Sequence, residues 1–177
     1  AKGSSSVLLQ TAGQNVFQAN GSGTVTNRLL ATGTATTIAP ILSCVGGDTN
    51  IDLALQAKGT GYVKVNAGTG LGYGTGVGGA VTQATSRTTG VTLNFPCGAI
   101  TLVSAAGTTS WQTFTVTNSA VAATDTIVVN QKSGTDLYQI FVTNVAAGSF
   151  KITFATTGGT TTEQPVFNFA VLKAVAA

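Results

Sequence analysis

The chain has no histidine and no methionine, two cysteines, three prolines and only five carboxylates among 177 residues. Without an imidazole there is no Ser–His nucleophile pair and no histidine-ligated metal, which removes the commonest hydrolytic and metal-centre arrangements. Cys44 and Cys97 lie far apart with no metal-ligand spacing. They read as unpaired buried thiols behaving as small hydrophobes, in preference to a disulfide. Charged residues make up 7% of the chain, where roughly a quarter is usual. A monomer so poor in charge is prone to self-association, so its surface suits an assembly or solvation through hydroxyls. The net charge of +3 is scattered, with no basic cluster interleaved with aromatics, so no nucleic-acid partner is expected. The longest apolar segment, near Phe167–Val175, is too short to span a bilayer, and Lys2 is followed by Gly3, Ser4, Ser5 and Ser6. Neither a membrane partner nor a signal peptide is expected, and a protein made and used in the cytosol, or carried out inside a particle, fits best.

What is present is a run of short alternating segments over residues 79–173, the stretch on which the fold turns. Eight candidate strands lie at 79–87, 91–95, 98–103, 111–117, 125–130, 137–144, 149–155 and 165–173. Most carry β-branched and aromatic residues and are separated by Gly, Asn, Ser and Thr turns. Phe150, Ile152 and Phe154 share one face, with Ser149, Lys151 and Thr153 on the other. That period of two marks a half-buried antiparallel strand. Tyr138, Ile140 and Val142 repeat it, as do Val91, Leu93 and Phe95. The expected fold class is all-β: an extended N-terminal arm with short strands, then a compact antiparallel β-sandwich, jelly-roll-like head. Helix content under ~10% is expected, well below the globular norm.

The boundaries expected are an arm over 1–66, a Gly-rich linker over 67–79 and the head over 80–177. Residues 1–78 hold 15 of the 23 glycines but only three of the 12 aromatics, Phe17, Tyr62 and Tyr73. So few large side chains cannot close a core. Residues 1–23 read as a polar extended lead, and brief strands are expected at 24–30, 37–43, 51–56 and 62–66. Ile51, Leu53 and Leu55 form one apolar face opposed by Asp52, Ala54 and Gln56. A face with no partner in its own segment must be covered by another copy or another protein. Ile51, Leu53 and Leu55, with Tyr62, are therefore candidate partner-binding residues.

Chemistry has little to work with. Asp48 and Asp52 are the pair to test as glycosidase carboxylates, but Asp48 follows Gly46-Gly47 and precedes Thr49-Asn50, the composition of an Asx turn. Asp125 and Asp136 fall at strand or turn boundaries, where Asp caps backbone. Gly72–Gly78 resembles a phosphate-binding loop in glycine content alone, lacking the Lys-Ser/Thr that would follow it. No catalytic residue, metal or cofactor is expected. Trp111 has the parity of Thr113, Thr115 and Thr117 and so faces away from Phe114 and Val116. Exposure would suit a sugar- or protein-binding aromatic; burial, by a bulge or against another subunit, is the favoured reading.

Two stretches resemble virion proteins of tailed bacteriophages. Residues 31–68 are similar to a segment of phage fibre and head-fibre proteins with the pattern Gly-x-Asp-x-Asn-Ile-Asp-Leu, a short gap, then Lys-Gly-x-Gly. Gly47, Asp48, Asn50, Ile51, Asp52, Leu53, Lys58, Gly59 and Gly61 match it. The region from Gly72 through Gly90–Gly98 and Phe114–Thr126 resembles compact β-domains of phage decoration and fibre proteins. The resemblance implies a non-enzymatic capsid decoration (cement) or head-fibre protein. It further implies a homotrimer bound to the major capsid protein on the virion surface and made in the host cytoplasm. The alternative it leaves is a short tail fibre or receptor-binding tip recognising a bacterial surface glycan or protein.

Overall fold

The computed structural model describes residues 6–11, 14–20, 27–65 and 70–174. The chain divides into two units, Ala1–Gly68 and Thr69–Ala177. It is all-β, with no helix among the described residues.

In the first unit, β1 (Ser6–Thr11) pairs antiparallel with β2 (Gln14–Asn20), and β3 (Arg28–Thr32) pairs antiparallel with β4 (Ile41–Val45). The 1–23 lead is thus not simply extended, because β1 folds back on β2 across its described part. The strands expected near 24–30 and 37–43 occur further along, as β3 and β4; positions 24–26 lie outside the described residues. No strand forms at 51–56 or over 62–65, and position 66 lies outside the described residues. The alternation at Ile51, Leu53 and Leu55 has no neighbouring strand to supply a ladder, and alternation alone does not make one.

The second unit holds β5 (Gly78–Thr82), β6 (Val91–Thr92), β7 (Cys97–Thr101), β8 (Ala105–Ala106), β9 (Gln112–Thr117), β10 (Thr126–Ser133), β11 (Tyr138–Ala146), β12 (Ser149–Thr156), β13 (Thr162–Glu163) and β14 (Val166–Leu172). Each of the eight expected segments overlaps one of these, and β8 and β13 form an additional short pair. Two four-stranded sheets result, in the orders β10-β14-β7-β5 and β11-β12-β9-β6. Both send alternate side chains into one core. Ile100, Phe167, Phe169 and Val171 come from the first sheet and Phe114, Val116, Phe150, Ile152 and Phe154 from the second. Ring pairs join the sheets, Phe150 with Phe169 at 5.2 Å and Phe154 with Phe167 at 5.3 Å between centroids. Phe95 breaks the expected Val91/Leu93/Phe95 face, since it is partly exposed while the other two are buried.

Not every pair is antiparallel. β5 runs parallel to β7 and β6 parallel to β9, so the unit departs at these edges from the antiparallel jelly-roll form expected of it. The reason is topological: β5 leads into β6 of the other sheet before the chain returns as β7, and the crossover leaves β7 pointing along β5. Glycine makes that edge possible. A Cβ on Gly79 would lie 2.5 Å from the Phe95 ring, and one on Gly98 would lie 2.7 Å from the Gly79 carbonyl oxygen. At the β11–β12 hairpin, Gly148 takes φ +79°, which costs an L-residue strain and glycine little.

Candidate functional site

The candidate residues fall in both units. In the first, Leu53, Leu55 and Tyr62 are exposed, Tyr62 to 73%, and Ile51 is half-buried. Lys64 Nζ lies 5.0 Å from the centre of the Tyr62 ring, a cation–π geometry on open surface. Four further exposed apolar side chains lie on the β3–β4 hairpin, which sequence patterning did not single out. Directly opposed residues share a face, so Leu29, Ala31, Leu42 and Cys44 form one side, and Leu30, Ile41 and Val45 lie on the other with Arg28, Thr32 and Ser43. Leu29, Leu30, Ile41 and Leu42 are all exposed. Among the described residues neither face of this ribbon has a covering layer.

Four of the five carboxylates, those of Asp48, Asp125, Asp136 and Glu163, accept hydrogen bonds within the fold. Asp48 accepts a 2.6 Å hydrogen bond from Asn27 Nδ2, and the Asp52 carbonyl accepts from Cys44 Sγ at 3.4 Å. Asp125 accepts from the Ala122 amide at 2.8 Å and pairs with Lys173 Nζ at 2.6 Å. The Ala122 N–H first, then Lys173, hold its carboxyl below the ordinary range against the opposing effect of burial. Asp136, buried, accepts from the Thr161 amide at 2.9 Å. Cys44 and Cys97 are both free and only half-buried. Among the described residues no group of His, Cys, Asp and Glu could hold a metal ion. Over 72–78 the glycine-rich stretch makes a turn, with the Val77 amide bonded to the Gly74 carbonyl, and Tyr73 donates to the Val171 carbonyl.

The most elaborate polar arrangement was not visible in sequence. Arg87, 3% exposed, donates from Nε to the Val103 carbonyl at 3.0 Å and from Nη2 to the Ala105 and Glu163 carbonyls at 2.6 and 2.7 Å. Its Nη1 donates to the Tyr138 hydroxyl at 3.0 Å, and that hydroxyl donates to Glu163 Oε1 at 3.1 Å. Burial, opposed by the nearby Arg87 charge and reinforced by Glu163, pushes the Tyr138 phenol up to about 12. Burial raises the Glu163 carboxyl, but the amides of Thr135 and Asp136 and the Tyr138 hydroxyl outweigh it and leave it below the ordinary range. These donors and acceptors satisfy one another inside the fold. The network ties the β8–β13 pair to β11 and presents no free base to a substrate.

Trp111 stands elsewhere, on the outer face of the β11-β12-β9-β6 sheet. It is 55% exposed, so no bulge within the chain buries it. Its ring lies 5.6 Å from that of Phe141, tilted by 55°, and Phe141 is itself 52% exposed. The register explains the meeting. Phe154 pairs with Gln112, and Phe141 with Thr153, which in turn pairs with Thr113, so the residue before Gln112 and Phe141 fall on the same outer face. Beside the rings, Thr153 Oγ1 lies 2.8 Å from both Thr113 Oγ1 and Thr143 Oγ1.

No family model, curated protein or solved structure matches the chain. Function therefore has to be argued from these surfaces. The opposite outer face, on the β10-β14-β7-β5 sheet, has a shallow depression of about 330 Å³ lined mainly by Gly78, Gly79, Cys97, Gly98, Ala99 and Asn168, with no comparable exposed aromatic pair. No described helix is long and apolar enough to cross a membrane.

Proposed function

We propose that the protein is a non-enzymatic structural subunit of a tailed-bacteriophage virion, a capsid decoration (cement) or head-fibre protein. In this reading it is a homotrimer whose first unit binds neighbouring copies and the major capsid protein. The second unit is a sandwich-type head, jelly-roll-like in closing two sheets on one core, and it stands on the outer surface of the capsid.

The observation that carries the reading is the apolar surface of the first unit. Residues 27–65 contribute nothing to the buried core, yet ten large apolar side chains between Leu29 and Val65 are exposed. The resemblance of residues 31–68 to phage fibre segments supplies the kind of assembly, and several weak contacts per trimer combine into firm attachment through effective concentration.

The test is quantitative electrophoresis of purified virions that carry this chain, with sedimentation of the recombinant protein. A copy number comparable with that of the major capsid protein, and a trimer in solution, are expected. A few copies per particle would move the protein to the tail, and a stable monomer that does not bind capsids would refute the reading.

A further inference from the structure

The outer face of the β11-β12-β9-β6 sheet combines two things that the opposite outer face lacks. One is a pair of half-exposed aromatic rings, Trp111 and Phe141, 5.6 Å apart and tilted by 55° to one another. The other is a file of hydroxyls, Thr113, Thr153 and Thr143, bonded in series at 2.8 Å. Phe141, Thr153 and Thr113 lie opposite one another across three strands, and Trp111 stands two residues along the chain from Thr113. Same-face positions two residues apart on a strand are separated by about 7 Å, roughly the width of one pyranose ring. Three hydroxyls that share two hydrogen bonds retain one donor and several lone pairs for a ligand.

We propose that this face binds a neutral glycan, with a sugar ring stacked on Trp111 against Phe141 and its hydroxyls bonded to the Thr113–Thr153–Thr143 file. A pyranose is amphipathic in the matching way: one face of C–H bonds suits an aromatic surface, and its rim is made of hydroxyl groups that both donate and accept. Charge selects the same ligand class. Around the rings the face carries Thr113, Thr115, Thr117, Thr143 and Thr153, one ammonium at Lys151 and no carboxylate. Such a surface neither attracts a cationic partner nor supplies the several cations that a polyanion requires. A second copy of the chain is the other natural occupant of exposed rings. The unbroken hydroxyl file argues against it, because closing a dry interface over it would leave hydroxyls without partners. The inference concerns the second unit alone and stands whether or not the protein decorates a capsid.

Trp111 is the single tryptophan, so its emission reports on this face directly. The experiment titrates the full-length protein with members of a panel of neutral bacterial-type oligosaccharides while tryptophan fluorescence is followed, and screens the same panel immobilised on an array. Saturable quenching or a spectral shift with at least one neutral glycan is expected. Phe141→Ala should weaken that binding at least about 10-fold through lost stacking. Thr153→Val, which keeps shape and removes the central hydroxyl, should weaken it about 3- to 10-fold. Sedimentation of Phe141→Ala is the control, with no change in oligomeric state expected. Absence of any neutral glycan binding by the wild type overturns the proposal. So does dissociation of an oligomer by Phe141→Ala, which would make the face a subunit contact.

Discussion

Leu42 and Ile152 both occupy apolar positions in short strands, yet Leu42 is half exposed while Ile152 is fully buried. The difference lies in what stands opposite. Ile152 points from β12 towards a second sheet that supplies Phe167, Phe169 and Val171 to the same core. Leu42 meets no second layer among the described residues of its own unit. Alternation makes a strand amphipathic, but only a facing layer turns amphipathicity into burial. The comparison also separates two uses of polarity. In the second unit Arg87, Asn118, Asp125 and Asp136 are buried and hydrogen-bonded, and removing any of them strands a partner. In the first unit the Asp48–Asn27 contact is exposed and can be lost to water.

The largest expected effect tests whether the second unit holds the stability. Phe154 is 1% exposed and touches the rings of Phe114, Tyr138 and Phe167. Phe154→Ala should cost about 3–5 kcal/mol in urea unfolding of the full chain, and Ile152→Ala about 2–5. A loss below about 1 kcal/mol would mean that the faces are reversed. Arg87→Met comes next, at about 3 kcal/mol, because it strands the carbonyls of Val103, Ala105 and Glu163 without their donor. The loss should appear in the same unfolding curves, with the tyrosine titration shifted further up if the fold persists, because the Arg87 charge that opposes burial is gone. An unfolding curve unchanged within error would show that water replaces the guanidinium there.

A pH series sharpens the contrast further. The folded Asp125 carboxyl is held below its ordinary value, so its contribution is fully present above the unfolded pKa of about 3.9. It is lost as pH falls through the lower folded value. The wild-type unfolding midpoint should therefore drop below about pH 5 more steeply than that of Asp125→Asn. Parallel curves for the two proteins would remove Asp125 from the acid response.

Much of the second unit was legible because its periodicity is strict: Phe150, Ile152 and Phe154 name their own face, and the eight strands follow from such beats. The parallel edges were not legible, since nothing local to residues 91–92 says which way β6 runs beside β9. Arg87 was missed for a similar reason. Its acceptors come from residues 103, 105, 106, 138 and 163, a convergence that exists only after folding. In the first unit the Ile51/Leu53/Leu55 pattern suggested a strand that tertiary context does not provide. Trp111 was placed on the correct parity, but its pairing with Phe141 depends on a register between β9, β12 and β11 that no local pattern specifies.

A smaller effect belongs to the exposed ribbon. Leu30→Ala with Ile41→Ala should change unfolding of dilute monomer by less than about 0.5 kcal/mol, because neither side chain leaves water there. At high concentration the same pair should weaken self-association, seen as a fall in the sedimenting oligomer. A large loss of monomer stability would show that the ribbon has a core after all and would end the contrast between the units.

The smallest effect concerns the carboxylates of the first unit. Asp48→Asn with Asp52→Asn should shift stability by no more than about 0.5 kcal/mol. Asparagine keeps a carbonyl oxygen that can accept from Asn27 Nδ2, and the Asp52 contact to Cys44 Sγ uses its backbone oxygen, which the substitution does not touch. The same double substitution decides whether Asp48 and Asp52 act as a glycosidase pair. Such a pair needs one carboxyl kept protonated by burial or by the other's charge, whereas Asp48 lies at an exposed contact with an amide. Incubation of wild type and double mutant with capsule or lipopolysaccharide should release no reducing ends from either. Release by the wild type that disappears in the mutant would assign catalysis to the first unit and overturn its reading as a binding surface.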